Sequence, residues 1–250
     1  MLKIINSGCS GHMGRVVTNI AKSDSAVKIV AGLDLSTDVQ VDYPVFKDLR
    51  EFHESADVVI DFSHPSALDG LLAYCIPKIT PLVLCTTGYT AQQLEAIEIA
   101  SKKMPVFRSG NMSVGINLLL ELIKRAAQTI GDDFDIEIVE KHHRRKVDAP
   151  SGTALMLADA AASGLANEPD LVYERESVRK ARGTDEIGIS AVRGGTIVGI
   201  HEVIFAGQDE VIELRHAAAS RDIFALGAMR AAKFMAGKTS GLYSMKDVLC

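Results

Sequence analysis

The densest set of reactive side chains runs from Glu140 to Ala154, in the stretch E-K-H-H-R-R-K-V-D-A-P-S-G-T-A. Two adjacent imidazoles (His142, His143) stand there with four cations (Lys141, Arg144, Arg145, Lys146) and two carboxylates (Glu140, Asp148). Before any imidazole is protonated, the four cations and two carboxylates leave a local formal charge of +2, in a chain whose net formal charge is −5. Pro150 stops any regular ladder, and Ser151-Gly152-Thr153 opens an apolar helical pattern. Cations beside a helix N-terminus attract an anion, because side-chain charge and the first backbone N–H groups act in the same direction. The chemistry this stretch offers is therefore anion binding joined to proton transfer.

A second constellation opens the chain. Leu2 to Ser7 is a short apolar run, followed at once by Gly8-Cys9-Ser10-Gly11-His12-Met13-Gly14. After it, Val16, Val17, Ile20 and Ala21 recur at helical spacing. Strand, glycine turn and helix form the setting of a dinucleotide site, where a pyrophosphate approaches backbone N–H groups that a Cβ would obstruct. The spacing is G-x-x-G-x-x-G, with the first glycine one place earlier than in G-x-G-x-x-G. The next apolar run, Val27 to Leu33, ends at Asp34, twenty residues past Gly14. An acid there accepts hydrogen bonds from ribose hydroxyls. Leu35 follows it, and no cation stands ready for a 2′-phosphate, so NADH is expected in preference to NADPH.

The elements that must position these residues alternate in type. Residues 36–47 read as polar and irregular, Lys47 to Glu54 as a short helix, and Asp57 to Ser63 as a buried strand. A helix begins near Pro65, a strand at Pro81 to Cys85, a helix at Thr90 to Lys103 and a strand at Met104 to Arg108. Strands alternating with helices imply a Rossmann-like, doubly wound parallel sheet, with ligands beyond the carboxyl ends of its strands. Four strand ends then matter together: Gly8 to Met13, Asp34, Cys85-Thr86-Thr87 and Ser109-Gly110-Asn111-Met112.

From Ser113 the pattern changes. Val114 to Ile130 is a long apolar helix ended by Gly131, and Phe134 to Glu140 alternates as a strand. Thr153 to Leu165 reads as a helix and residues 166–185 as irregular. Glu186 to Arg193, Thr196 to Ala206 and Glu210 to Ala217 read as antiparallel hairpins turning at Gly194-Gly195 and Gly207-Gln208-Asp209. Arg221 to Lys238 closes as a helix, and Tyr243 to Leu249 is a short tail. The expected organisation is a dinucleotide-binding domain over 1–112, to which 221–250 returns, and a second α+β domain over 113–220. That second domain has an open mixed sheet suited to substrate binding and oligomerisation. A hinge is expected near Met112–Ser113 and near residue 220. If the strand continues past Glu140, its period of two places His142 and Lys146 on one face and His143 with Arg145 on the other.

Composition narrows the classes. Hydrophobic residues make up 47% and charged residues 24%, values of a globular protein with a full core. The acidic balance argues against general nucleic-acid binding, and no apolar run approaches the roughly 20 residues that cross a bilayer. Cys9, Cys75, Cys85 and Cys250 lack C-x-x-C spacing, which fits free thiols in the cytoplasm. No thiol or carboxylate stands at zinc-ligand spacing from His142-His143, so no metal is expected. His201 and His216 lie on strands and read as structural histidines.

The His-rich motif, the glycine turn and the T-T-G-Y and G-N-M-S turns together resemble the 4-hydroxy-tetrahydrodipicolinate reductase (dihydrodipicolinate reductase) family over essentially the whole chain. The resemblance implies a nicotinamide-dependent reduction of a cyclic dicarboxylate in diaminopimelate and lysine synthesis, by a cytoplasmic homotetramer. It further implies His142 as proton donor or acceptor, Lys146 as proton donor and His143 as a substrate contact, with Ser151-Gly152-Thr153 opening the carboxylate-binding helix. Gly8, Cys9, Ser10, Gly11, His12, Met13, Asp34, Cys85, Thr86, Thr87, Ser109, Gly110, Asn111 and Met112 match its cofactor shell. Two positions depart: many members have Gly at Cys85, and some have a basic residue at Leu35. A different two-domain oxidoreductase acting on an amino dicarboxylate, or a nucleotide-sensing regulator without turnover, are the competing readings. The regulator expects a basic recognition helix that this acidic chain lacks.

Overall fold

The computed structural model describes residues 1–249. The chain folds as two units, one made of Met1–Val114 with the segment from Asp222 onward, the other of Gly115–Arg221.

In the first unit, β1 (Leu2–Ser7), α1 (His12–Ser23), β2 (Val27–Leu33), β3 (Val45–Phe46) and β4 (Val58–Asp61) come first. They are followed by α2 (Leu68–Lys78), β5 (Leu82–Leu84), α3 (Ala91–Ser101) and β6 (Pro105–Arg108). The seven-stranded sheet has the order β12-β6-β5-β4-β1-β2-β3, where β12 is Gly241–Tyr243, and its pairings are parallel. Helices cover both faces, so successive side chains of one strand are all buried. Ile4, Val58, Ile60, Val83 and Phe107 enter one core, while Ile5, Val59, Leu82, Leu84 and Val106 enter the other. This is why β4 reads as an unbroken apolar run. The order reverses between β1 and β4, and the carboxyl ends of those strands carry Ser7 and Asp61.

The second unit contains most of α4 (Val114–Ile130), β7 (Asp135–His142), α5 (Gly152–Ala162), β8 (Asp170–Val172), β9 (Glu186–Arg193), β10 (Gly199–Ala206) and β11 (Val211–Ala218). Its five strands run in the order β11-β10-β7-β9-β8, with β7 parallel to β9 and antiparallel to β10. One face of β7 buries Ile136, Ile138, Glu140 and His142. The two isoleucines meet Leu119 and Ile123 of α4 and Leu157 and Ala158 of α5. Then α6 (Asp222–Met235) packs its Ala225, Ala228, Ala231 and Ala232 into the first unit's core, and α7 (Met245–Leu249) closes the described chain.

Several expectations are corrected. The turn at Gly194-Gly195 does not make a hairpin, because β7 lies between β9 and β10. Two backbone hydrogen bonds explain the detour: Gly194 donates to the His142 carbonyl and Arg144 to the Gly195 carbonyl, so the chain crosses the end of β7. The β10–β11 hairpin is present. Residues 166–185 include β8, and the C-terminal tail region supplies β12 and α7. The helix over Lys47 to Glu54 shrinks to one 3-10 turn, Leu49–Glu51, and the segment 36–47 ends in β3. These strands have two or three residues each, too few to show a period.

Candidate active site

In the first unit, the turn after β1 is shaped by backbone contact. Gly8 has φ +79, and a Cβ on it would stand 2.6 Å from the Phe62 carbonyl oxygen. A Cβ on Gly14 would stand 2.1 Å from the Gly8 carbonyl oxygen. The turn is too tight for side chains at those two points, whether or not anything is bound. Asn6 fastens it from beneath, donating to the Gly14 carbonyl at 2.9 Å. Gly11 is the N-cap of α1, with no side-chain cap and no acid in the first turn. That helix start is open to an anion.

Asp34 follows β2, where its carboxylate accepts from the Ser10 N–H at 2.9 Å and the Ser36 N–H at 3.3 Å. Burial alone would raise its pKa, but these hydrogen bonds outweigh it and hold the carboxyl below its ordinary value. It is thus an anion tied to the glycine turn. Leu35 beside it is 90% exposed, and residues 35–40 carry no cation. Cys9 is buried, whereas His12 is exposed.

The turn after β5 holds Cys85, Thr86 and Thr87, and Thr86 Oγ1 donates to Asp61 Oδ2 at 2.7 Å. Burial pushes the Cys85 thiol well up, so it is a neutral apolar contact. After β6, Ser109 Oγ donates to the Asn111 carbonyl at 2.9 Å, and Asn111 Oδ1 accepts from the Ser113 N–H at 2.8 Å. Gly227 of α6 lets the helix press on this turn, since a Cβ there would lie 1.7 Å from the Met112 carbonyl oxygen. All four expected strand ends therefore lie in this unit. They fit a nicotinamide nucleotide: an open helix start for phosphate, an anchored acid for ribose, and small polar residues beyond them.

In the second unit, β7 ends at His142, so His143 to Pro150 form a loop. The expected strand parity of His142 with Lys146 does not apply. Instead the pleat places Glu140 and His142, two positions apart, on one inward face. Glu140 is fully buried. Its Oε2 lies 2.6 Å from His142 Nδ1, its Oε1 accepts the Ser151 N–H at 3.0 Å, and Arg193 donates to both oxygens at 2.7 Å each. Burial works to raise the Glu140 pKa, and these donors, Arg193 first, bring it below its ordinary value.

Ser151 is the N-cap of α5, its Oγ accepting from the Ala154 N–H at 3.1 Å and lying 2.9 Å from His201 Nε2. The His201 and His142 rings meet edge to face at 5.0 Å. Burial, then the neighbouring His142, pushes His201 down to about 4. A Cβ on Gly199 would lie 3.1 Å from His142 Nε2, so glycine there leaves room beside the ring.

The loop carries the remaining cations. Lys146 Nζ donates to both oxygens of Asp148 at 2.8 Å, which holds that carboxyl below its ordinary value. His143 Nε2 lies 3.3 Å from an Arg221 guanidinium nitrogen. Burial, then Arg145 and Arg221, pushes His143 down. Gly152 and Thr153 form the first turn of α5.

Sequence reasoning missed the scaffold of this site. Arg193 and His201 reach Glu140 and Ser151 from β9 and β10; in the first unit, likewise, the Thr86 contact to Asp61 was not foreseen. The spacing of Glu140 and His142 was the one available signal. No group of three or more His, Cys, Asp or Glu suited to a metal ion occurs among the described residues. No helix among them is long and apolar enough to cross a membrane. Cys9, Cys75 and Cys85 are free thiols, and Cys250 lies outside the described residues.

A Rossmann-like parallel sheet with a glycine turn, together with a unit bearing a buried carboxylate–imidazole pair, defines a two-domain nicotinamide-dependent oxidoreductase. The family described as "Dihydrodipicolinate reductase, N-terminus" matches residues 2–112, and "Dihydrodipicolinate reductase, C-terminus" matches residues 115–249. The chain belongs to the dihydrodipicolinate reductase family. A 4-hydroxy-tetrahydrodipicolinate reductase from Clostridium perfringens is 51% identical over 251 residues, covering 100% of this chain and 98% of its own length. That from Clostridium tetani is 49% identical over 249 residues, covering 100% and 97%. Among solved structures, a dipicolinate-bound dihydrodipicolinate reductase from Paenisporosarcina sp. TG-14 is 25% identical with a TM-score of 0.82, covering 98% of this chain and 97% of that one.

Proposed function

We propose that the two units divide one reduction between them, with a nicotinamide nucleotide held by the first and a cyclic dicarboxylate by the second. The reaction is the reduction of 4-hydroxy-tetrahydrodipicolinate to tetrahydrodipicolinate, in the diaminopimelate route to lysine. The observation that carries the reading is the Glu140 network, in which one buried carboxylate holds both an imidazole and the start of a helix. When bound, the nucleotide supplies the hydride.

The chain's own residues bind the substrate and move the proton. The start of α5, with Gly152 and Thr153, takes one carboxylate, and His143 takes a further oxygen. Glu140 fixes Nδ1 of His142, so Nε2 is the nitrogen that exchanges a proton. Lys146, steered by Asp148, donates the proton to the reduced ring. Dipicolinate bound to the Paenisporosarcina enzyme supports a planar dicarboxylate as the ligand class.

Asp34 and the absence of a cation at 35–40 favour NADH over NADPH. The first unit is the cofactor domain and the second the substrate and oligomerisation domain. The assembly is a cytoplasmic homotetramer, and an interface through the five-stranded sheet is supported by its second face, where Val139, Ile200 and Ile204 are only partly buried and Val211 is exposed. The test is consumption of NADH with freshly made 4-hydroxy-tetrahydrodipicolinate. Consumption with that compound and none with simple keto acids is expected. No consumption with it overturns the reading.

A further inference from the structure

We infer that Asp61 is a positioning residue for the cofactor, fixing the end of β1 and the turns after β4 and β5 to one buried carboxylate. The inference rests on the reading that a nicotinamide nucleotide binds those turns. Asp61 ends β4 at the point where the strand order reverses, paired with Ser7 of β1 on one side and Leu84 of β5 on the other. It has no exposed surface. The Ser7 hydroxyl donates to Oδ1 at 2.8 Å, and Ser63 donates to Oδ1 from its N–H at 3.2 Å and also from its hydroxyl. The Thr86 hydroxyl donates to Oδ2 at 2.7 Å, and the Tyr89 hydroxyl lies 3.5 Å from the same oxygen. One oxygen thus serves the β1 side and the other the β5 side.

These donors are hydroxyls and one backbone amide. A buried carboxylate among neutral donors is a demanding arrangement, since each lone pair left unmet carries a desolvation penalty. A purely apolar residue would fill the space at the centre of this sheet. What the carboxylate adds is direction. It is acceptor-only, so every hydroxyl around it must point its proton inward. Ser63 and Thr86 then keep their lone pairs free to act as acceptors, at the strand ends that would hold a nicotinamide nucleotide. Asparagine at 61 has one acceptor oxygen and a donating N–H₂. It would force the hydroxyls on the nitrogen side to accept instead, reversing their role.

The experiment compares NADH binding to the full-length chain, Asp61→Asn and Thr86→Val, by calorimetry, with dipicolinate binding and melting temperature measured on the same samples. We expect Asp61→Asn to raise the NADH Kd about tenfold or more, Thr86→Val to raise it in the same direction, and dipicolinate binding to be unchanged. Thr86→Ser, which keeps the hydroxyl, should restore NADH binding. Unchanged NADH affinity in folded Asp61→Asn, even with a lower melting temperature, overturns the inference. If Asp61→Asn does not fold, the fallback is Ser7→Ala, which removes a donor to Oδ1 at a residue outside the cofactor shell: parental NADH affinity there overturns the inference, and a weakened affinity upholds it. Failure of the unsubstituted chain to bind NADH overturns the cofactor reading itself.

Discussion

Nδ1 of His142 lies 2.6 Å from Oε2 of Glu140, and both side chains project from the inward face of β7. The same carboxylate accepts the Ser151 N–H at 3.0 Å and a two-pronged contact from Arg193. An imidazole and a helix start are therefore referred to one buried group. Loss of that group disturbs both, whereas the first unit's glycine turn depends on other residues.

Glu140→Gln should lower kcat about tenfold to a hundredfold, the range that losing one charge-assisted hydrogen bond spans. Glutamine's one amide oxygen can serve only one side: at the Oε2 position it keeps His142 and one Arg193 nitrogen, while the amide N–H₂ then faces the other Arg193 nitrogen and the Ser151 N–H, donor against donor. NADH affinity should stay unchanged. Steady-state kinetics and calorimetry check this, and a parental kcat would remove Glu140 from the positioning of His142.

Lys146→Ala should lower kcat about a hundredfold or more, the lower end of what a positioned general acid contributes. Lys146 Nζ is held by both oxygens of Asp148, so its reach is set before substrate arrives. NADH affinity should survive. Near-normal turnover in this variant would sink the role of Lys146 as acid.

Asp34→Ala should weaken NADH about tenfold and weaken NADPH less. Asp34 is an anion held against the Ser10 N–H, a charge that suits a free ribose hydroxyl and repels a 2′-phosphate. Binding titrations with the two nucleotides decide it. An equal loss for both would argue against ribose recognition.

The first unit was legible because its signals are local. Its strands other than the short β3 and β12 carry apolar runs, and Gly8 and Gly14 lie in the turn that they shape, with Asp34 at the end of the very next strand. The second unit's site was legible in its members and not in its wiring. Glu140 and His142 are two residues apart, a period that a strand reveals, but Arg193 comes from 53 residues away and His201 reaches Ser151 across 50. Those contacts exist because β7 is the central strand, between β9 and β10. Hairpin logic at Gly194-Gly195 would have paired β9 with β10 and left no place for it. Asp61 was read only as one member of the buried strand Asp57 to Ser63, because nothing local marks its donors, which come from β1 and from the turns after β4 and β5.

Histidines whose pKa the fold lowers make stability depend on pH. His201 is pushed down to about 4 from an ordinary value of 6.5, and burial also lowers His143 and His216. As pH falls through 6.5 the unfolded chain takes up protons that the folded chain refuses, so stability declines with acidification. For His201 alone the loss is about 2 kcal/mol by pH 5, and it levels off near pH 4, where the folded state also protonates. Asp34, Glu140 and Asp148 are held below their ordinary values, so their contribution is lost only at still lower pH. A comparison between pH 7 and pH 5 thus isolates the histidines. The melting temperature of the parent should fall over that interval, and that of His201→Gln should fall less, because glutamine can hydrogen-bond to Ser151 without titrating. Equal declines in the two proteins would mean that the imidazole beneath His142 is already protonated in the folded state at pH 5.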